Sequence, residues 1–537
     1  MPDVMANIPN SLPALRERLR EIVGADHVSD DARRLDLHSA DIWAHGAATV
    51  ELIVAPRSLS ELSDTVAAAT AAGYHIAPRG AGMSYTGGYV AEANRTISLD
   101  LSAMNRILAI RPEDMVVTVE AGCTWAALHA ALAPLGLRTP FWGAMSGLMS
   151  TIGGGLSQLN AMFGAGHYGT SAESVVALTV VLADGRILRT GAGGAVPFYR
   201  HYGPDLTGLF CGDCGAFGVK AEITLRLIQA PEHEGYASFS FPTGESLLRG
   251  LAGIARAGIA AESCGFDPGL TRIRMRRASM ADDAKTLGAV VAREKSLVSG
   301  LAAAARVVRG GRSFIPEDGF PLHLVFEGRS AAGVSHDVAA AKRIALAEGG
   351  QEIEPTIARV IRAVPFPPLN SVLGPDGERW LPIHGIVPLS RAAELFTFIE
   401  GVFAAMAAPF AAAGISTAYL FTHLSTNAII VEPVFYWPEQ RAAIHEAAIE
   451  PAHLAKLPVQ PANPEATELV RTARVRVLDV FERFGCAHFQ IGRTYPYHRS
   501  RDNAAWGLIA AAKTYLDAAG AMNPGVLGLA RTDGTPG

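Results

Sequence analysis

Ala77-Pro78-Arg79-Gly80-Ala81-Gly82-Met83-Ser84-Tyr85-Thr86-Gly87-Gly88 is the stretch from which the 537-residue chain is best read. Its glycines let the backbone turn sharply, visit positive φ and approach a ligand closely. Unhindered N–H groups in such a turn form a concave anion site. Arg79 adds a permanent cation and Ser84 a hydroxyl donor, the equipment a diphosphate needs. An ordinary glycine-rich surface loop is the competing reading. The loop follows a helix-patterned run at 59–72 and a short apolar strand at 74–77. Gly80-Ala81-Gly82-Met83-Ser84-Tyr85 begins like G-x-G-x-x-G but ends in Tyr, and no amphipathic helix opens after it. A nicotinamide Rossmann site is therefore disfavoured. The chain has no G-x-x-x-x-G-K-[ST], which leaves nucleoside triphosphate chemistry without a foothold.

Length predicts two or three domains rather than one core. With 49% apolar and 18% charged residues the composition is that of a compact, well-buried protein. A net charge of −5 and the lack of a basic stripe give no case for nucleic acid. Five cysteines, an odd and sparse count, predict thiols in a reducing, cytoplasmic compartment rather than a disulfide framework. Met1 to Asn10 holds two prolines and an aspartate and reads as no signal peptide. Gly401 to Thr422 is uncharged and long enough to span a bilayer, but Pro409 and Gly414 break it. It reads as helix, turn and strand, so no transmembrane segment is expected.

Leu12, Leu15, Leu19, Ile22 and Val23 stand at helical spacing in a leader, 1–48, whose Ser39–Trp43 is expected to lie extended against the next domain. Residues 49–230 alternate short strands and helices, with strands expected at 50–54, 74–77, 96–100, 106–110, 115–119, 177–182, 186–190 and 221–227. Thr124 is placed to cap a helix and Asp184-Gly185 to turn a hairpin. A second glycine cluster, Ser150 to Ser157 and Gly164 to Thr170, suits a backbone pressed on a flat ring or a phosphate, or else close helix packing. Residues 231–475 change texture, with strands expected at 235–241, 322–327, 381–387, 415–421 and 427–435. Val364-Pro365-Phe366-Pro367-Pro368 marks a loop bordering the site, and Arg272 to Arg277 reads as a solvated helix face. From about Val475 the chain is expected to return as a strand and to end in a helix, Trp506 to Leu516. There is no internal repeat.

Ile53-Val54-Ala55-Pro56-Arg57-Ser58, then Pro78-Arg79-Gly80-Ala81-Gly82, then Ser98-Leu99-Asp100-Leu101, resembles the FAD-binding module of the vanillyl-alcohol oxidase and p-cresol methylhydroxylase family. Tyr202 to Lys220 resembles the family's DLTGLF…G…G segment, which closes over the adenine end of FAD, and Asn523-Pro524-Gly525 its C-terminal NPGK signature, with Val526 in place of Lys. The fold class implied is α+β: a two-subdomain FAD-binding domain of the p-cresol methylhydroxylase type at 49–230, an α+β cap (substrate) domain at 231–475, and a return to the FAD domain at 476–537. The resemblance implies FAD held by Pro78, Arg79, Gly80, Ala81, Gly82, Met83, Ser84, Gly153, Gly154, Ser157, Gly166, Tyr168, Gly218, Val219 and Asn523. His384 lies close to where several relatives tether FAD covalently, and is otherwise a core histidine. Cys211-x-x-Cys214 lacks a thioredoxin-like setting and a second CxxC, and reads as structural thiols.

A flavin carries hydride chemistry itself, so the protein must orient a C–H bond, handle a proton and control the next oxidant. Gly492-Arg493-Thr494-Tyr495-Pro496-Tyr497 offers an anion clamp, Arg493, among the phenolic donors Tyr495 and Tyr497. An arginine paired with a buried carboxylate is the competing reading. His423 is a polar site on a cap strand. Members acting on D-2-hydroxy acids carry a GHxGDGNxH metal motif there; this chain keeps His423 and Asn427 but has Ile430 for the second His and His488 near the place of a later Glu, so no metal is expected. The phenol-oxidising branch fits in Met104–Leu108 and Val434–Pro438, but Thr86, Gly492 and Thr170 depart from its site residues. The resemblance implies an FAD-dependent oxidoreductase taking hydride from an alcohol or benzylic carbon of a para-substituted aromatic. A D-2-hydroxy acid dehydrogenase is the alternative, and a non-catalytic binding protein the remote one. Similar proteins pass electrons to oxygen, a cytochrome or a quinone, and a homodimer is compatible with all of these readings.

Overall fold

A computed structural model describes residues 11–192, 194–277 and 317–529. Three larger sheets organise them, beside a two-stranded pair of Leu137–Arg138 with Ile228–Gln229. The first has four strands in the order Val28–Ser29, Leu52–Val54, Thr96–Asp100, His75–Arg79. The last three run parallel, as the helix Leu59–Ala71 between Leu52–Val54 and His75–Arg79 requires. Its Ser58 accepts from Glu61 N as the N-cap. The leader belongs to this sheet through the antiparallel pairing of Val28 with Val54, and its helix Leu12–Val23 buries Leu15, Leu19 and Val23.

The second sheet is antiparallel, in the order Ile107–Arg111, Val116–Glu120, Val219–Arg226, Val175–Val181, Ile187–Arg189. Thr124 caps the helix Trp125–Leu132, accepting from Ala127 N. The two sheets share one core with Met522, which bridges to Ile76 from the far end of the chain.

The third sheet is also antiparallel: Gln351–Ile353, His233–Phe241, Phe320–Gly328, Glu262–Phe266, Ser416–Leu424, Ala428–Trp437, Arg379–Pro382, with Gly385–Pro388 also pairing with Ala428–Trp437. Sequence patterning missed Glu262–Phe266, a fully buried strand whose Ser, Cys and Gly lack the β-branched signature, and Gln351–Ile353, which is too short to show a period. Strand alternation gives the sheet two different faces. Phe421, Val431 and Phe435 enter a core roofed by the helices Gly244–Ala257, Ala392–Ala405 and Pro464–Arg483. Leu420, Thr422, Ile430 and Glu432 face a cavity on the other side.

Two expectations are corrected. Val475 lies within the twenty-residue helix Pro464–Arg483 and not in a strand; Ala466, Val470, Ala473, Val477, Val480 and Phe481 are buried at helical spacing. The helix Pro268–Arg277 exposes Arg272, but Arg274 is half-buried and faces the cavity, so the cationic run is not simply a solvated face. Gly401–Thr422 forms the end of one helix, a second helix Ala407–Ala413 and the strand Ser416–Leu424. Among the described residues no single helix is long and apolar enough to cross a membrane; Leu389–Ala405 with Ala407–Ala413 passes only as a pair bent by 62°.

A buried ionic cluster joins the third sheet to residues of the cofactor side. Arg362 meets Glu234 at 2.9 Å, Glu262 at 2.6 Å and Glu327, and Arg138 of the cofactor side also meets Glu327. Glu262 accepts from Gly164 N as well, at 3.2 Å. Just after Arg362, Phe366 fills a slot beside Gly143 and Gly147 that a Cβ at either position would block. Pro367 to Val372 then run along the cavity, so the proline-rich loop does border the site.

Candidate flavin and substrate site

A cavity of about 610 Å³ runs from the glycine loop to the cap sheet. The loop leaves the end of His75–Arg79 and is pinned from both sides. Gly87 N donates to Asp41 Oδ2 at 2.7 Å, and the Tyr89 hydroxyl meets the carbonyls of Gly82 and Ser84 at 2.5 and 2.9 Å. Gly82 and Gly87 both have φ of +72°, a conformation that favours glycine. Beneath the loop lies Thr151, which caps the helix Ile152–Gln158 through Gly154 N; a Cβ at Gly80 would collide with its hydroxyl. Gly153 packs against Ala121, so the glycine triplet lies within this helix and serves close packing as well as the cavity.

Arg79 tests whether an anionic cofactor fits. Its side chain is buried, lines the cavity and donates to Ala40 O at 3.3 Å. No carboxylate lies within ion-pair distance of it among the described residues. A buried cation without a counter-ion is costly, and a diphosphate over the glycine amides would neutralise it. Pro78 to Ser84, Gly153, Gly154, Ser157, Gly218 and Val219 all line the cavity, so the residues present fit FAD.

Four expected cofactor residues lie elsewhere. Gly166 packs against Ala260 and the His423 ring, and Tyr168 lies 5.9 Å from the Arg226 guanidinium. The Asn523 amide donates to Gly88 O at 2.7 Å and Cys214 O at 2.6 Å, supporting the loop from behind. His384 is fully buried: Nε2 accepts from Phe489 N at 3.2 Å, and Nδ1 meets the Tyr495 hydroxyl at 3.2 Å. It does not line the cavity. Gln158, Leu159, Cys214, Lys220 and Gln490 were not anticipated but line the cavity. Leu159, Cys214 and Gln490 all have φ between 51° and 56°, strain that the sequence does not advertise.

At the cap end the walls are Tyr85, Trp380, Phe489, Leu420 and Ile430. Tyr85 and Trp380 meet edge to face, with centroids 5.6 Å apart. Register explains the floor: Leu420 pairs with Glu432 and Thr422 with Ile430, so these four side chains share one face. Burial pushes the Glu432 carboxyl up to about 7, and the Arg274 guanidinium draws it back. Arg274 lies 4.6 Å over the Phe266 ring, and no ion pair joins it to Glu432. The cavity thus holds a carboxyl group poised near neutrality and a cation, among aromatic walls.

The expected catalytic residues are not at this end. Arg493 clamps the loop to the C-terminal return, donating to Gly87 O, to Asn523 Oδ1 at 3.1 Å and to Pro524 O at 2.6 Å, with Glu92 3.8 Å away. It does not line the cavity. Tyr495 is buried against His488, with ring centroids 4.0 Å apart, and Tyr497 opens a short helical turn outside the cavity. His423 Nδ1 pairs with Ser263 Oγ at 2.6 Å and Nε2 with Ala260 O at 3.2 Å. Among the described residues no three His, Cys, Asp or Glu side chains gather as metal ligands. All five cysteines are free; burial pushes Cys211 up to about 11 and Cys214 to about 12, away from reactive thiolates.

Residues 50–191 match the family described as FAD binding domain. A probable mitochondrial D-lactate dehydrogenase of Danio rerio is 33% identical over 241 residues, 45% of this chain and 48% of that protein. Glycolate oxidase subunit GlcD of Bacillus subtilis strain 168 is 30% identical over 218 residues, 41% of this chain and 45% of that protein. These matches span about half the length of the curated relatives. Among solved structures, p-cresol methylhydroxylase with substrate bound superposes with a TM-score of 0.71 at 16% identity, covering 96% of this chain and 97% of that one. 4-Ethylphenol oxidase from Gulosibacter chungangensis gives 0.65 at 14%, covering 97% and 98%. Residues 50–191 thus match an FAD binding domain, set in a chain that shares its overall fold with p-cresol methylhydroxylase.

Proposed function

We propose that the chain is an FAD-dependent oxidoreductase that oxidises an alcohol or benzylic carbon of a small aromatic substrate carrying a hydroxyl group. The observation that carries this reading is Glu432, a carboxyl group pushed up to about 7 inside a cavity continuous with the glycine loop. A base poised near working pH is suited to take a hydroxyl proton. Bound FAD supplies the hydride acceptor. Tyr85, Trp380 and Phe489 offer flat apolar walls to an aromatic ring, and Arg274 offers a cation to a phenolate or carboxylate. Glu432 would take the hydroxyl proton and the two-electron hydride would pass to bound FAD, which would leave a carbonyl or a quinone methide and balance charge and electrons.

Arg274 also favours a second reading, oxidation of a D-2-hydroxy acid held by its carboxylate, the class named by several relatives. Ile430 faces the cavity where that branch is expected to place a metal-ligating histidine, which counts against this reading. The free thiols fit a reducing, cytoplasmic setting for either reading.

The visible spectrum of the FAD-loaded protein under anaerobic conditions separates the two readings. Bleaching by 4-ethylphenol supports the aromatic one. Bleaching by D-lactate alone supports the second. A band unmoved by either compound would count against both.

A further inference from the structure

The turn 488–493 joins parts of the site that are remote in sequence. Phe489 N donates to His384 Nε2, Gln490 N to Gln158 O, Gly492 N to Cys214 Sγ at 3.3 Å, and Arg493 N to Thr86 O at 2.8 Å. Because Nε2 of His384 accepts, its neutral ring carries the proton on Nδ1, toward Tyr495. The His384 ring also stacks on Phe489 with centroids 4.0 Å apart. At the centre of this hub Gln490 is held at a φ of +51°. A non-glycine residue in the left-handed region is strained and persists where its surroundings over-determine it, most often at functional sites.

What the strained backbone delivers is the amide. Gln490 Oε1 accepts from Ser84 Oγ at 3.1 Å, and Gln490 Nε2 faces the Tyr85 hydroxyl oxygen at 3.2 Å. Tyr85 lines the cavity, and its O–H has no acceptor among the described residues. A phenol oxygen that accepts from an amide turns its own proton the other way. We propose that Gln490 is a positioning residue: by donating to the Tyr85 oxygen it directs the Tyr85 O–H into the cavity as a hydrogen-bond donor to a substrate oxygen. The inference rests on the proposed function only for the acceptor; the direction of the hydrogen bond belongs to this chain alone.

The test reads that direction without a substrate. Tyr85 is replaced by 3,5-difluorotyrosine in the FAD-loaded protein, and its ionisation is followed by fluorine NMR. Gln490→Gly removes the amide while suiting the positive φ, so the turn is retained. Gln490→Glu keeps the shape but replaces the donor with an acceptor. If the amide nitrogen faces Tyr85, it stabilises the phenolate, and both variants raise the apparent pKa, Gln490→Gly roughly tenfold in the ionisation constant and Gln490→Glu more. A fall or no change in Gln490→Gly would mean that the carbonyl faces Tyr85 and would overturn the proposal. A substrate class that proves wrong leaves this measurement unaffected.

Discussion

The cofactor half and the cap half of this molecule build their polar chemistry in opposite ways. Around residues 78–88 and 151–158 the working groups are backbone amides, with Arg79 as the main charge, and the residues that shape them are neighbours in sequence. At the cap end Glu432, Arg274 and Trp380 come from three separate segments and meet Tyr85 of the loop only because a sheet and a helix bring them together. A backbone site is specified by local conformational freedom, a side-chain site by register.

The largest effect that could break this contrast is at Glu432. Glu432→Gln should retain the yellow cofactor and slow substrate-dependent bleaching by about 10²–10⁴-fold, the scale of a lost general base. In the parent, kcat/KM should rise through an apparent pKa of about 7 as Glu432 ionises, and the variant should lose that limb. The same group makes a stability prediction. Its folded pKa is raised, so its contribution is fully present below the unfolded value, near 4.5, and is lost as pH rises through about 7. The thermal midpoint of the parent should therefore fall relative to Glu432→Gln between pH 5 and 8; parallel curves would show that the carboxyl group is not desolvated.

Next comes the joint between the halves. Arg362→Ala leaves the buried Glu262 without its ion-pair partner and takes one partner each from Glu327 and Glu234, and loss of one partner from a buried ion pair costs about 3–5 kcal/mol. Denaturant unfolding should register that loss, while a midpoint unchanged from the parent would mean that the cluster contributes nothing to seating the cap. Arg79→Ala should weaken FAD retention roughly a hundredfold, the worth of charge-assisted hydrogen bonds in a buried site. Visible absorbance surviving desalting would show that the amides suffice alone. The smallest change is expected from Arg493→Lys. It keeps the charge but loses the guanidinium fork that spans Gly87, Asn523 and Pro524, costing about 1 kcal/mol of stability. Bleaching rates lowered by orders of magnitude in that variant would return Arg493 to the reaction.

Legibility followed the same division. The strand leading to Arg79, the cap at Thr124 and the turn at Asp184-Gly185 are written in local residue chemistry and occur where expected. Arg493 and Tyr495, read from the sequence as a substrate clamp, do not line the cavity, a placement the letters alone do not carry because an arginine beside tyrosines reads the same whether it faces ligand or backbone. Arg274 was passed over for the converse reason: it stands in a basic run, where only helix rotation distinguishes a solvated arginine from an inward one. Glu432 gave no signal beyond a carboxylate between hydrophobic residues on a strand.

By itself the sequence determined the glycine-rich loop, the α+β alternation and the resemblance to an FAD-binding family, because turn chemistry and strand or helix periodicity act over a few residues. Tertiary structure alone decided which charged side chains face the cavity, that Arg493 and Asn523 brace the loop from behind, and that Gln490 meets Tyr85 across four hundred residues of chain. Those outcomes depend on strand register, helix rotation and desolvation, which arise only when distant segments pack together.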